Sequence, residues 1–279
     1  MPELPEVETV RAALDPILTD AVIETATIRR PDLRWPLPPD LARIMTNAPV
    51  LSVQRRAKIL VLELPSHMIM WHLGMSGSMR IQTHAPNLLP HDHISLTILR
   101  QTDSQPLYHY VTYNDPRRFG YVDLVAKGDF HNHRSISSLG PEPLSDECNL
   151  AYFDEMLASS SAPIKSTLLD QRKIAGLGNI YVCEALFRAG ISPRRSASSV
   201  VGKRSARLLP AIKQVLQEAI AQGGTSLRDH RQPDGKLGYF VQSLNVYGKE
   251  GAPCPSCQTQ IKSVRMSGRS SFYCPSCQR

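Results

Sequence analysis

No apolar run in this 279-residue chain approaches the ~20 residues that a membrane-spanning helix needs. An apolar signal core is also missing at the N-terminus, which opens with acids instead. That argues against secretion and makes a cytosolic protein the expectation. Internal repeats and low-complexity segments are absent as well. Cysteine is scarce, at six residues, and acids disappear altogether from Ala252 to the C-terminus. What is present describes a folded protein. Hydrophobic residues make up 42%, enough for a substantial core, and the length suits two or three domains. A net charge of +7 and a pI near 9.2 favour a polyanionic partner.

The first eleven residues, Met-Pro-Glu-Leu-Pro-Glu-Val-Glu-Thr-Val-Arg, carry the most chemistry. A small residue after the start Met lets that Met be removed, which would leave Pro2 with a free secondary amine. Such an α-amino group titrates near about 7.7–8.0, against about 10.4 for lysine. A useful fraction is therefore unprotonated at neutral pH. Attack on an aldehyde-like carbon gives an iminium with no N–H to lose, a lasting electron sink. Glu3 adjoins the amine, and Glu6 lies about one helical turn further on. Leu4, Val7, Val10 and Leu14 follow a helical repeat, so one side of this segment packs on a core. Pro5 and the acids suit a helix N-terminus. The same features also describe an ordinary helix start, and these residues by themselves leave both readings open.

Residues 20–30 and 50–125 read as strand-rich. Ile59–Leu64, Met68–Trp71 and Ile94–Leu99 have strand length and are separated by turn-forming residues. The expected architecture is α+β. It comprises a β-sandwich or barrel over 1–130, a linker over 131–150, a helical domain over 151–248 and a C-terminal finger over 249–279. Helical periodicity marks Leu150–Leu157, Ile164–Asp170, Asn179–Ala189 and Ser205–Gln222. Pro210 should kink or restart the last of these, and Gly223-Gly224 should stop it.

Cys254-Pro-Ser-Cys257 and Cys274-Pro-Ser-Cys277 are separated by sixteen residues. Two such pairs form the pattern of a tetrahedral Cys₄ zinc site, here a single structural Zn²⁺. Disulfides are the alternative, and a cytosolic setting disfavours them. The finger has too little core to fold without its metal. Cys148 and Cys183 lack partners at ligand spacing and read as buried thiols. Lys262, Arg265 and Arg269 make the stretch between the knuckles basic, suited to a nucleic-acid groove or simply to solvent. Between two helical patterns lies Gln171-Arg-Lys-Ile-Ala-Gly-Leu-Gly-Asn179. Its glycines permit a tight turn, Asn179 suits the N-cap of the next helix, and such a helix start is a natural phosphate site.

Taken together, Pro2-Glu3, the Gly-Leu-Gly-Asn turn and the terminal ribbon resemble the formamidopyrimidine-DNA glycosylase family, bacterial enzymes that excise 8-oxoguanine. Further blocks stand in the family's order: Gln54-Arg-Arg-Ala-Lys-Ile59, His72-Leu-Gly-Met-Ser-Gly77, Asp115-Pro-Arg-Arg-Phe-Gly120, Leu139-Gly-Pro-Glu-Pro-Leu144 and Asp234-Gly-Lys. The resemblance implies an N-terminal catalytic β-sandwich over 1–130, a helix–two-turn–helix element around Gly176–Asn179 in the DNA-binding helical domain, and binding of double-stranded DNA that contains a damaged base. It implies that Pro2 attacks C1′ of the damaged nucleotide with Glu3 as acid/base partner, and gives Glu6 a supporting role. Lys58 and Arg269 match the residues credited with proton donation during strand cleavage. His72, His91, Asn179 and Tyr247 fall where the family contacts the DNA backbone. Met75, Arg117 and Phe119 fall where it fills the gap left by the extruded base. Read from the residues alone, Met75 and Phe119 could be core, Lys58 part of a solvated basic strand and His91 a surface histidine. The family reading also implies β,δ-elimination after base excision, action as a monomer, and a nucleoid-associated place in the bacterial cytoplasm. Where relatives carry an aromatic residue, this chain has His230, which would shift lesion preference. Rival readings are an endonuclease VIII-type enzyme for oxidised pyrimidines, a zinc-ribbon DNA-binding protein without catalysis, and an N-terminal-proline tautomerase.

Overall fold

The computed structural model describes residues 2–103, 105–225 and 238–279. His230 therefore lies outside the described residues. The chain forms two compact units, Met1–Ser137 with Gln222–Tyr239, and Ser138–Ala221 with Phe240–Arg279.

The first unit opens with helix α1 (Leu4–Leu18), strand β1 (Val22–Ile28) and a short helix α2 (Leu41–Met45). Eight strands follow: β2 (Ala48–Pro49), β3 (Ser52–Arg56), β4 (Ile59–Glu63), β5 (His67–His72), β6 (Ser78–Gln82), β7 (Asp92–Arg100), β8 (Leu107–Asn114) and β9 (Tyr121–Ala126). They pair antiparallel into one sheet of order β2-β1-β7-β8-β6 and another of order β3-β4-β5-β9. In β7, Ile94, Leu96 and Ile98 are buried while Ser95 and Thr97 between them are not, the period-two pattern of a strand with one face on a core. Ile59–Leu62 of β4 are all buried. The two sheets and the apolar side of α1 share one core, in which Leu14 and Leu18 lie with Leu60, Leu62, Trp71, Leu96 and Val111. Burial of each such leucine favours folding by about 1.5–3 kcal/mol.

The second unit contains α3 (Leu150–Ala158), α4 (Ile164–Leu169), α5 (Asn179–Arg188) and α6 (Ser205–Ala221), followed by a hairpin of β10 (Lys262–Met266) and β11 (Arg269–Tyr273). Asn149 caps α3, its side chain accepting from Tyr152 N at 3.0 Å. The interior side of α6 carries Leu208, Leu209, Ile212, Val215, Leu216 and Ala219, all buried. Contrary to expectation, Pro210 does not restart α6, which is continuous from Ser205 to Ala221. At the sixth residue the proline forfeits only one early ladder bond, and the buried stripe on either side holds the helix. Cys148 and Cys183 are buried, as the spacing argument requires. No helix among the described residues is long and apolar enough to cross a membrane.

Candidate functional site in the two units

Pro2 is buried at the head of α1. Glu3 is the N-cap, and Glu3 and Glu6 form a capping box, with Glu3 N donating to Glu6 Oε2 at 2.8 Å. Pro5, in the first turn, has no N–H to leave unsatisfied there. Glu3 and Glu6 are only 3% and 2% exposed, so the start of this helix is an interior feature.

Lys58 sits in the two-residue turn between β3 and β4, since Arg56 pairs with Ile59. It is 7% exposed, so the alternative of a solvated basic strand does not hold. Arg55 links this turn to α1. Its guanidinium donates to the Ala57 carbonyl at 2.8 Å and to Glu8 Oε2 at 2.9 Å. Glu8 in turn pairs with Arg11 at 2.7 Å. One charged chain thus fixes the Lys58 turn against the helix that Pro2 heads.

His72 ends β5, stacked parallel on Tyr121 of the neighbouring strand with ring centroids 5.1 Å apart. Its Nδ1 accepts from Gly74 N at 3.0 Å, which leaves the proton on Nε2. Burial, reinforced by the positive charges of Lys58 and Arg34, pushes its pKa down to about 4. His72 is therefore a neutral N–H donor throughout the physiological range, suited to a phosphate oxygen.

An open pocket of about 660 Å³ adjoins it, lined by His72, Met75, Arg117 and Phe119 together with Asp32, Leu33, Arg34, Gly74 and Arg118. Met75 is 37% and Phe119 42% exposed, which excludes the core reading for both. The Arg117 guanidinium lies 4.8 Å from the Phe119 ring centroid, a cation–π pair. Asp115 organises the loop that bears them. Its fully buried carboxylate accepts from Ser76 Oγ at 2.6 Å, Gly120 N at 2.8 Å and Tyr113 Oη at 3.2 Å. Ser76 Oγ in turn accepts from Arg117 N at 3.2 Å. Gly74, at φ +68°, brings the two loops together, because a Cβ there would fall 2.3 Å from Gly120 N and Phe119 C.

His91 is exposed, with positive φ, and its carbonyl accepts from Asp115 N at 3.1 Å. The adjacent Asp92 holds this loop by accepting from Arg80, Leu89 N and Asn114 at 2.7–2.9 Å.

Asn179, Tyr247 and Arg269 belong to the second unit. Asn179 is not the N-cap of α5; Gly178 is, and Asn179 is the first helical residue. Its Nδ2 donates to the Ser270 carbonyl at 2.9 Å, next to Arg269 in β11. Its Oδ1 is buried without a hydrogen-bond partner. The same carbonyl accepts from Lys165 Nζ at 3.0 Å, and Lys165 also reaches Ser271 Oγ at 2.5 Å. Lys165 is fully buried, so its ammonium fastens the basic hairpin to α4. Lys262, Arg265 and Arg269 are all exposed on that hairpin. Tyr247 packs on Phe272, with ring centroids 5.1 Å apart. Its loop is clamped by the fully buried Glu184 of α5. That carboxylate accepts from Asn245 N at 2.8 Å, Asn245 Nδ2 at 3.0 Å, and Val246 N and Tyr247 N at 2.9 Å each.

The ligand atoms of Cys254, Cys257, Cys274 and Cys277 all lie within 4.8 Å of one another. Cys254 and Cys277 are 3.9 Å apart and Cys257 and Cys274 3.5 Å, close to the roughly 3.8 Å edge of a tetrahedron with 2.3 Å metal–sulfur bonds. Backbone N–H groups of Ser256 and Cys277 point at sulfurs of Cys254 and Cys274, both at 3.4 Å, as suits thiolates. The Thr259 hydroxyl pulls the Cys257 thiol down to about 6, while Cys257 pushes Cys277 up to about 12. A divalent cation relieves that opposition, and the donor set fits a structural metal.

Sequence reading missed Asp115, Lys165 and Glu184 as positioning groups. The available signal was a lone charge within an apolar stretch, as in Ile164-Lys165 and Cys183-Glu184-Ala185. Such a charge is buried only if it is paired.

Comparison with known proteins agrees with this geometry. Three family models match. They are the formamidopyrimidine-DNA glycosylase N-terminal domain over residues 1–122, its H2TH domain over 139–231, and the zinc finger found in FPG and IleRS over 251–279. A formamidopyrimidine-DNA glycosylase of Paracoccus denitrificans is 51% identical over 265 residues, covering 92% of this chain and 91% of the relative. The crystal structure of the MutM (Fpg) protein of Thermus thermophilus superimposes with a TM-score of 0.86 at 38% identity, covering 99% of this chain and 98% of that one. Lactococcus lactis Fpg bound to abasic-site DNA gives 0.89 at 31% identity with both chains fully covered. Other structures of that protein hold DNA containing Fapy-dG, in a mutant, or an oxidised pyrimidine. With family models that together take in both units and the Cys₄ ribbon, and identity sustained over nine-tenths of its length, this enzyme belongs to the formamidopyrimidine-DNA glycosylase family.

Proposed function

We propose that this enzyme is a bifunctional DNA glycosylase and abasic-site lyase that removes oxidised purines from duplex DNA, with the Pro2 amine as nucleophile. The carrying observation is the buried head of α1, where Pro2 directly precedes a glutamate cap tied by the Glu3–Glu6 hydrogen bond. A flexible N-terminus could not hold a reacting amine in line with one carbon.

The target carbon is hidden in a duplex, so the nucleotide must first be extruded, at a cost of a few kcal/mol, on the order of ~3. Met75 and Phe119 insert apolar surface where stacking is lost, and Arg117 hydrogen-bonds the orphaned base. The unprotonated Pro2 nitrogen then bonds C1′, the base leaves with the electron pair of its glycosidic bond, and the proton that the nitrogen sheds passes to the departing base. Glu3 delivers a proton to O4′ as the sugar opens, and an iminium forms. The iminium draws electrons from C2′, whose proton departs, and the 3′ phosphate leaves; the second elimination releases the 5′ phosphate. Lys58 and Arg269 supply protons to these leaving groups. His72, His91, Asn179 and Tyr247 contact backbone phosphates. Cys254, Cys257, Cys274 and Cys277 hold one structural zinc ion, which stabilises the ribbon that bears Arg269.

The test is borohydride trapping on a duplex with a single 8-oxoguanine, followed by mass mapping. A reduced adduct on residue 2 is expected, and the Pro2→Gly variant should lose most base excision. An adduct on another residue, or wild-type excision by that variant, refutes the nucleophile. The oxidised-pyrimidine complex of the Lactococcus lactis protein favours pyrimidine lesions as a second substrate class. Trapping on both duplexes would establish it.

A further inference from the structure

We propose that the turn after α5, together with the last residue of the chain and the start of α6, is a second DNA-binding surface. It takes the phosphate backbone of another duplex while the first is held. The inference rests on the reading of Asn179 and Arg269 as contacts to the bound duplex. No acid stands between Glu184 and Glu218, and none from Ala252 onward. Arg188 is satisfied by Glu218 at 2.7 Å. No Asp or Glu among the described residues pairs with Arg194, Lys203, Arg204, Arg207 or Arg279.

The fold gathers these cations. Gly190, at φ +67°, turns the chain at the end of α5. Its carbonyl accepts from Arg279 N at 3.2 Å, and Arg279 O accepts from Ser192 N at 3.4 Å and Arg195 Nε at 3.2 Å. A short 3₁₀ turn over Ala197–Val200 leads on to Arg204, whose guanidinium reaches Ser199 O at 3.5 Å. Arg194 lies over the Tyr273 ring, 5.6 Å from its centroid. Arg194, Lys203, Arg207 and Arg279 are exposed, and Arg204 is half-buried. Ser198 and Ser199, also exposed, add hydroxyl donors of the kind that grip phosphate oxygens. Arg207 sits in the first turn of α6, where the helix dipole disfavours a cation by about 0.3–1 kcal/mol, so fold stability does not account for it.

Two elements place this surface behind the first interface. Helix α5 is ten residues long, about 15 Å, with Asn179 at one end and Gly190 just past the other. In the hairpin, Arg269 pairs with Met266 at the turn, whereas Tyr273 pairs with Lys262 about 14 Å further along. A helix that offers its N-terminus to a phosphate points its other end away from it. Both elements thus turn their far ends from the duplex that Asn179 and Arg269 contact, and the cations lie on those ends. An acidic protein fits this surface less well. Protein interfaces centre on apolar or aromatic anchors, and from Gly190 to Ala221 the one large exposed apolar side chain is Val201, at 39%. Cations and hydroxyls without such an anchor suit a phosphate backbone read without regard to sequence. A second grip of this kind lets the enzyme pass from one DNA segment to the next without release into solvent.

The test is the dissociation rate of a dye-labelled duplex carrying a tetrahydrofuran site, which has no C1′ leaving group and stays uncleaved, as undamaged competitor duplex is added. Simple release gives a rate that ignores the competitor; a second surface gives one that climbs with it. Non-specific phosphate contacts hold at about 10⁻⁴–10⁻⁶ M, so raising the competitor from about 1 to 100 µM should speed wild-type dissociation about ten-fold. The variant Arg204→Glu/Arg207→Glu places acids where the α6 dipole favours them. Its rate at low competitor should stay within about two-fold of wild type and rise less than about two-fold over that range. Should it fail to fold, the milder Arg204→Gln/Arg207→Gln decides. Poly-glutamate at equal charge should leave the wild-type rate unchanged. Asn179→Ala, at the other end of α5, should do the reverse of the charge-reversed variant, with faster release at low competitor and the rise retained. A flat wild-type rate, an undiminished rise in the charge-reversed variant, a larger change in its rate at low competitor, or acceleration by poly-glutamate would each overturn the second surface. Wild-type release by Asn179→Ala refutes the phosphate reading of Asn179 and takes this inference with it; faster release by that variant beside a flat wild-type response refutes this inference alone.

Discussion

Replacing Glu184 by Gln tests how far one buried carboxylate holds the second unit together. The side chain is fully buried, and all of its observed partners are donors: Asn245 N and Nδ2 on Oε2, Val246 N and Tyr247 N on Oε1. Glutamine has the same shape but one acceptor. Whichever way its amide turns, the NH₂ faces two of those donors, and none of the backbone N–H groups can reverse its polarity. Two hydrogen bonds to a charged group, worth about 1.5–3 kcal/mol each, are lost. Relief from burying a net charge offsets part of this. A net loss of about 3 kcal/mol follows, or roughly 12 °C in the unfolding midpoint of a unit this size. Differential scanning calorimetry of the metal-loaded protein reads that shift directly. The loosened loop also carries Tyr247, so affinity for duplex DNA should fall alongside. A variant that melts within about 2 °C of wild type, below the shift expected for a single lost kcal/mol, would refute the reasoning.

The remaining predictions concern His72, Gly74 and the metal. The folded-state pKa of His72 is depressed to about 4, below its unfolded value, so the unfolded chain binds more protons between pH 6.5 and 4. The stabilisation is complete above pH 6.5 and is lost as pH falls through that window, by up to about 3 kcal/mol. Imidazole NMR resonances assigned with a His72→Gln control should stay flat from pH 7.5 to about 5; a midpoint near 6.5 would contradict the buried, neutral ring. Gly74→Ala combines a φ of +68° with a Cβ 2.3 Å from backbone atoms of the Phe119 loop. It should destabilise by about 3 kcal/mol or more in chemical denaturation, and a neutral result would refute the tight approach of the two loops. Elemental analysis should find one zinc per chain. A chelator should melt the ribbon and abolish DNA binding, and full binding after zinc loss would show that the ribbon folds without metal.

What was legible in the sequence is what short-range chemistry determines. The capping residues and the 3.6-residue repeat of α1 lie within one segment, and each Cys-x-x-Cys pair declares its own geometry. The period-two pattern of β7 needs no knowledge of its partners. Less legible was anything set by pairing across the chain. His72 becomes a neutral donor because β9 puts Tyr121 against it and the Lys58 turn raises the local positive charge. Asn179 looked like a cap because its residue type favours one. Gly178 holds that position instead, and the amide is drawn to Ser270, 91 residues away. Pro210 looked like a breaker because propensity cannot weigh the buried stripe that carries α6 through it.

The other carboxylate oxygen of Glu6, Oε1, accepts from Thr225 N at 2.7 Å, and that bond sets an order in time. Its partners are 219 residues apart, and a ribosome adding about 5–20 residues per second needs roughly 10–40 s to supply the second after the first. In that interval α1 and all nine strands of the first unit have already been made. The growing chain can therefore close most of its sandwich early, yet it holds the buried Glu6 without its distant partner until the helices α3–α6 have emerged. The partner that reaches back to the sixth residue arrives only after every described strand of the first unit has been made, and a chain interrupted before Thr225 never forms that bond.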